Sequence, residues 1–108
     1  MSLGWGKYAN PRDGDLIEFV VDLTHDTVAV RTMTTRGCGA AARAAGELAR
    51  WVHGKAPEDA ARIEPRELIA RLELVPDEER CALTAIAALR AALMDAHVRE
   101  LGESAAGR

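Results

Sequence analysis

An α+β arrangement, a small antiparallel sheet with helices packed on one face, follows from three features of the sequence. Two period-two stretches stand in the first third of the chain. Nearly everything after them carries apolar residues at helical spacing. The 108 residues suffice for one core but not for two. Strands first and helices second, without an internal repeat or a dividing linker, indicate a single domain over residues 1–108.

Residues 1–12 carry Gly, Asn and Pro and read as a lead-in loop or short edge segment. In residues 15–23, Ile17, Phe19, Val21 and Leu23 alternate with Leu16, Glu18, Val20 and Asp22, the pattern of a half-buried strand. Thr24, His25 and Asp26 break it. Residues 27–35 are β-branched again, with Val28, Val30, Thr32 and Thr34, which completes a hairpin. Two strands alone make a marginal sheet. A third is therefore expected, either from residues 5–10 or from a partner chain in a homodimer.

Ala41, Ala45, Leu48 and Val52 then recur at helical spacing, and His53-Gly54 supplies a stop. A short helical turn is expected around residues 60–63. Pro65 opens another helix over residues 66–73, since proline is tolerated in a first turn. Pro76 marks a further break. The last helix is expected to bury Leu83, Ile86, Leu89, Leu93 and His97 or Leu101, and residues 102–108 read as a frayed tail.

Composition excludes several functions. The chain is 48% apolar and 29% charged, with a net charge of -3 and a pI near 5.6. That balance argues against a general nucleic-acid or membrane-surface binder. Aromatics at 4% supply no base-stacking platform. No apolar run approaches the roughly 20 residues of a membrane span. The first residues lack the apolar stretch of a signal peptide. A cytoplasmic, reducing compartment is the resulting expectation, in which two cysteines are free thiols or ligands rather than a disulfide.

Those cysteines carry the chemistry. Cys38 lies in Thr35-Arg36-Gly37-Cys38-Gly39, and Cys81 closes Pro76-Asp77-Glu78-Glu79-Arg80-Cys81; each stands just ahead of a helix-forming run. Unpaired N–H groups and the positive end of the dipole at a helix start favour thiolate over thiol. Two such thiolates can converge on a soft metal or accept sulfur, or both can be small buried apolar groups. His25, His53 and His97 lie on different elements without ligand spacing. His53 reads as a dipole contact at a helix end, and His97 as packing at the core edge. Asp77, Glu78 and Glu79 suit the start of the last helix. Trp5 and Trp51 read as packing groups. Asp13 and Asp15 lack the nucleophile, base or oxyanion donors of a catalytic pair.

The order of motifs resembles the NifU/IscU-type scaffold proteins of iron–sulfur cluster assembly. Gly37-Cys38-Gly39-Ala40-Ala41 feeds a helix ending Trp51-Val52-His53-Gly54-Lys55. Asp13-Gly14-Asp15 stands where that family has Cys-Gly-Asp. Leu72-Glu73-Leu74-Val75-Pro76 precedes Cys81 at the spacing of its last cysteine, and Asn10-Pro11-Arg12 is similar to its early Asn-Pro-Arg. The resemblance implies a non-enzymatic carrier of a transient [2Fe–2S] cluster or of iron, because soft thiolates suit iron in a sulfide core. Cys38 and Cys81 match the second and third cysteines, and Asp15 matches the aspartate. Asp13 replaces the first cysteine as a substitute donor.

Arg80 replaces the family's histidine and cannot be a ligand. It can lower the Cys81 pKa or pair with Asp13 or Asp15. Implied partners are a cysteine desulfurase and apo-protein acceptors. Leu74-Val75-Pro76-Asp77-Glu78 reverses the charge of the Leu-Pro-Pro-Val-Lys stretch, which argues against an Hsp70-type chaperone. The segment between Asn-Pro-Arg and the first ligand, from which the family draws its extra strand, is shortened. Two alternatives stay open: a regulatory or adaptor paralogue without a cluster, and a mononuclear zinc protein using Asp13, Asp15, Cys38 and Cys81.

Overall fold

The computed structural model describes residues 3–12 and 14–106. Three strands, β1 (Leu3–Asn10), β2 (Asp15–Asp22) and β3 (Ala29–Arg36), form an antiparallel meander in the order β1-β2-β3. Helices α1 (Gly39–Val52), α2 (Pro57–Ala61), α3 (Pro65–Leu72) and α4 (Glu79–Ala106) follow, with a 3-10 turn at Pro76–Glu78. The helices cover one sheet face, as the sequence predicts. Ile17, Phe19 and Val21 of central β2 are fully buried beneath α1 and α4, which contribute Ala41, Ala44, Ala45, Leu48, Ala85, Ile86, Leu89 and Ala92 to the same core.

The third strand comes from the chain itself and not from a partner. It is the edge strand Leu3–Asn10, one of the two sources the sequence allows. Packing explains its Gly4 and Gly6. A Cβ on Gly4 would overlap the backbone at Ala92 and Ala96, and one on Gly6 the backbone at Ala88 and Ala92. The glycines let α4 lie directly on β1. A tight turn then reverses the chain: Arg12 N–H donates to Asn10 Oδ1 (3.1 Å), and Gly14, at φ 73°, donates to Asn10 O (2.8 Å). The outer edge of β1 is closed at Trp5. Its backbone N–H donates to Asp95 Oδ2 (2.8 Å), and its ring stacks under the Arg99 guanidinium, 4.8 Å from the ring centre.

This close contact also shifts the buried face of α4, which keeps Ile86, Leu89 and Leu93 of the expected stripe and leaves out the rest. Its buried arc is mostly alanine, with Cys81, Ala82, Ala85, Ala88, Ala92 and Ala96 beside Ile86, Leu89 and Leu93. Leu83 and Leu101 are more than half exposed, and His97 is exposed as well. Small residues win the buried face because the sheet backbone lies directly beneath it. At 28 residues α4 spans ~42 Å, whereas an eight-residue strand spans ~26 Å, so the helix overruns the sheet. It continues past Gly102, where the sequence reading ends it. It also exceeds the expectation that no segment matches a membrane span: by length and composition alone it is long and apolar enough to cross a bilayer. Of its most apolar window, 56% is buried inside the fold, as in a core helix.

Candidate metal centre

The site forms where the start of β2, the start of α1 and the start of α4 meet. Asp15 opens β2 on the inward face, in line with Ile17 and Phe19, and is 1% exposed. A buried carboxylate needs donors. Cys38 provides one, its backbone N–H reaching Asp15 Oδ1 at 3.1 Å. That contact needs the turn at Gly37, whose φ is 127°, and a Cβ there would overlap the Asp15 carboxyl. Gly37 is therefore fixed both by its backbone conformation and by the carboxylate beside it.

Cys38 stands just ahead of α1, as expected, as its N-cap residue, and it is exposed. Cys81 differs from expectation: it lies inside the first turn of α4, not ahead of it, and is 2% exposed. The two sulfurs approach to 3.7 Å. Asp15 Oδ2 stands 3.8 Å from Cys38 Sγ and 3.4 Å from Cys81 Sγ. One donor atom from each residue falls within 4.8 Å of the other two. Three side chains distant in sequence thus share one rim. Asp13, the fourth predicted donor, lies outside the described residues.

Electrostatics correct the thiolate argument for Cys81. Its pKa is pushed up from the ordinary 9.0 to about 12, first by burial and then by hydrogen bonding to Cys38 and Asp15. The net shift is upward, opposite to the lowering that a cation at Arg80 would give. The Arg80 side chain has its own surroundings. It lines a separate 240 Å³ depression with Tyr8, Asn10, Leu83 and Thr84. A helix start favours thiolate only where solvent reaches the sulfur, and Cys81 is enclosed. Without a metal, Cys81 is a neutral thiol.

The remaining candidates go elsewhere. His53 does not act as a simple dipole contact: its Nδ1 accepts the Val30 N–H at 3.3 Å on the outer edge of β3. His97 leaves the core edge and faces a 580 Å³ groove between α4 and α2. His25 lines a small depression beside the β2–β3 turn. Trp51, like Trp5, carries a guanidinium on its ring, with Arg71 4.4 Å from the ring centre. Glu78 closes the turn before α4 by accepting the Val75 N–H at 3.2 Å, and it pairs with Arg43 at 3.5 Å. Gly37 is the site residue whose role escapes sequence reasoning. A glycine directly before an N-cap cysteine was the available signal.

Comparison with known proteins agrees with this geometry. The family model described as the NifU-like N terminal domain matches residues 1–102. Iron-sulfur cluster assembly protein 1 of Arabidopsis thaliana is 31% identical over 111 residues, covering 98% of this chain and 66% of its own length. The iron-sulfur cluster assembly scaffold protein IscU of Haemophilus influenzae is 28% identical over 95 residues, covering 87% and 75%. The chain therefore spans about two thirds to three quarters of these relatives. Among solved structures, a chain from Fervidobacterium islandicum AW-1, assigned to the SUF system as a cluster assembly scaffold, superimposes with a TM-score of 0.66. That match covers 83% of this chain and 79% of the other at 16% identity, and it carries the fold alone. With 102 of its 108 residues matched by the family model, the chain belongs to the family of NifU-like N terminal domains.

Proposed function

We propose that this chain is a scaffold of iron–sulfur cluster assembly, with Cys38, Cys81 and Asp15 receiving the iron and sulfur it builds with. The carrying observation is the spacing of the three donor atoms. Around one tetrahedral ion with metal–sulfur bonds near 2.3 Å and a metal–oxygen bond near 2.1 Å, two sulfurs stand about 3.8 Å apart and sulfur and oxygen about 3.6 Å. The observed separations are 3.7 Å and, for sulfur to oxygen, 3.4 and 3.8 Å. The three atoms thus match three corners of one coordination tetrahedron, and the fourth would take sulfide or a further donor such as Asp13.

Exposure divides the sulfur chemistry. Cys38 is the reachable thiol and takes the role of sulfur acceptor, whereas Cys81 is enclosed. The Cys38 thiolate attacks the outer sulfur of a cysteine desulfurase persulfide. The S–S bond of the donor breaks, its cysteine leaves as thiolate, and Cys38 carries the new persulfide. Iron then binds as Cys81 loses its proton, and an external electron donor reduces the persulfide sulfur to sulfide. The finished [2Fe–2S] unit passes to an apo-protein acceptor. We read the role as carriage and not turnover, although a Drosophila melanogaster relative bears the name assembly enzyme. Relatives include a mitochondrial form and a bacterial one, and both free thiols suit reducing surroundings in this chain as well.

Anaerobic reconstitution with ferrous iron and sulfide tests the proposal. Sulfur-to-iron charge-transfer absorption is expected, and Cys38→Ala or Cys81→Ala removes it. Persistence of that absorption in both variants refutes the site. The same tetrahedral spacing favours a second reading, a single zinc ion. Elemental analysis of protein isolated without added metal separates the two: stoichiometric zinc that iron and sulfide fail to displace gives the site to zinc.

A further inference from the structure

The two edges of the sheet are treated differently. Asp95 and Arg99 of α4 close the β1 edge at Trp5, as described above. On the β3 edge, His53 takes the Val30 N–H. Beyond it, among the described residues, no side chain hydrogen-bonds to the backbone of residues 31–36. An open edge of this kind is a template for another strand.

A groove of 610 Å³ runs along that edge, between β3 and α1. Val30, Met33 and Ala49 give it an apolar floor, and Arg31, Arg50 and His53 stand around it; no carboxylate lines it. Arg50 pairs with Glu47 at 3.0 Å yet stays 73% exposed. Gly46 is the second, independent sign. It sits in the middle of α1 and borders the groove, where glycine is unfavourable relative to alanine. Among the described residues nothing requires it: a Cβ there meets only Arg50 Nη1, at 3.7 Å. A bare stretch of helix with no internal reason, facing a groove beside an open strand edge, suits the close approach of another backbone.

We propose that the free edge of β3 and the groove beside α1 form a docking site for an extended acidic segment of a partner protein, bound as an added strand. Backbone hydrogen bonds to β3 supply affinity. Alternate side chains enter the apolar groove, and carboxylates meet Arg31, Arg50 and His53. Charge disfavours a second copy as the occupant. β3 carries Arg31 and Arg36 and no acidic residue, so two-fold pairing of β3 with itself sets cations against cations. Gly46 lies eight residues along α1 from Cys38, ~12 Å by helical rise, so a docked partner sits close to the metal centre.

The test uses the full chain and a capped eight-residue peptide alternating glutamate and valine, followed by titration and amide chemical shifts. Saturable binding is expected, with shifts confined to residues 30–36 and 46–53. A peptide with lysine in place of glutamate binds at least tenfold more weakly, and so does the acidic peptide to the Arg31→Glu, Arg50→Glu double variant. Gly46→Ala raises the melting temperature, while Gly46→Leu blocks the groove and weakens binding at least tenfold. Cys38→Ala binds the peptide unchanged, which separates this proposal from the fate of the metal site. Absence of saturable binding, equal affinity for both peptides, or shifts centred on β1 or α4 overturns it. A dimer in sedimentation whose dissociation on dilution shifts the amides of residues 30–36 also overturns it, by giving the edge to a second copy.

Discussion

Gly37→Ala is the sharpest perturbation of the metal centre, because one methyl group acts on two separable quantities. At φ 127° an L side chain is strained whatever the space around it, at about 1–3 kcal/mol. The new Cβ also overlaps the Asp15 carboxyl, which must move and give up the 3.1 Å hydrogen bond from the Cys38 N–H. A hydrogen bond to a charged group contributes about 1.5–3 kcal/mol. The lower ends sum to roughly 2.5 kcal/mol, a large fraction of the 5–15 kcal/mol typical of a folded domain, and lower the melting temperature by roughly 10–20 °C. Metal affinity falls separately, by about 10–100-fold, because Asp15 loses the group that orients it. Gly39→Ala is the internal control. It lies two residues on, at the first position of α1, where a Cβ meets nothing within 4 Å. Thermal unfolding and cobalt or zinc titration of both variants provide the assay. If Gly37→Ala matches Gly39→Ala in both stability and affinity, the account of this turn is wrong.

Three further outcomes follow from the same contacts. The Cys81 thiol, at about 12 folded against 9.0 when free, contributes stability that is complete below pH 9 and is lost as pH rises toward 12. Denaturant titrations across that range should show this alkaline loss in the wild type and not in Cys81→Ala. Gly6→Val drives a branched side chain into the backbone at Ala88 and Ala92, and overpacking of more than about 3 kcal/mol should leave it largely unfolded by circular dichroism. The Trp5 N–H, with Arg99 second, holds the Asp95 carboxyl below its ordinary 3.8. Its stabilisation is present above that value and is lost as pH falls below it. For this partly exposed group the effect is ~0.5–1 kcal/mol, so acid unfolding of Asp95→Asn should begin from a slightly lower plateau and show a shallower loss.

The hairpin of β2 and β3 was legible because its face alternates in the sequence as it does in the sheet. Asp15, Cys38 and Cys81 were legible as a set through motif order, which carries spacing that periodicity alone does not. β1 was legible only as one of two possible sources of a third strand, because its inward residues are Gly4 and Gly6: the property that lets α4 approach removes the apolar signal of a strand. The buried face of α4 was legible at Ile86, Leu89 and Leu93 and not in its alanines, since alanine carries little weight beside Leu83 or Leu101 yet is what fits against a glycine strand. The acidity of Cys81 was misjudged because sequence position reveals the helix start but not the enclosure of the sulfur. Each error lies where tertiary contact reverses a local preference.

That last reversal bears on how a scaffold gives up what it holds. A thiol with a pKa near 12 binds metal only by losing a proton it strongly prefers to keep. Under the proposed function, protons therefore compete with iron at Cys81 at neutral pH, with apparent affinity changing about tenfold per pH unit for each proton displaced. Asp15 adds an oxygen donor that is harder than the two sulfurs. A site with one exposed thiol, one reluctant thiol and one carboxylate assembles when sulfur and iron arrive together, and it reprotonates once an acceptor draws the metal away. Gly37 and the Cys38 N–H hold the Asp15 carboxyl beside the two sulfurs. Loose holding then comes from proton competition and donor hardness, with no unfolding of the site required. Proton release on loading is the measurable sign: zinc or ferrous iron titrated into weakly buffered protein at pH 7 should liberate at least one proton per metal, and Cys81→Ala should liberate fewer. Equal release from the two would assign the proton to another group and remove this account of lability.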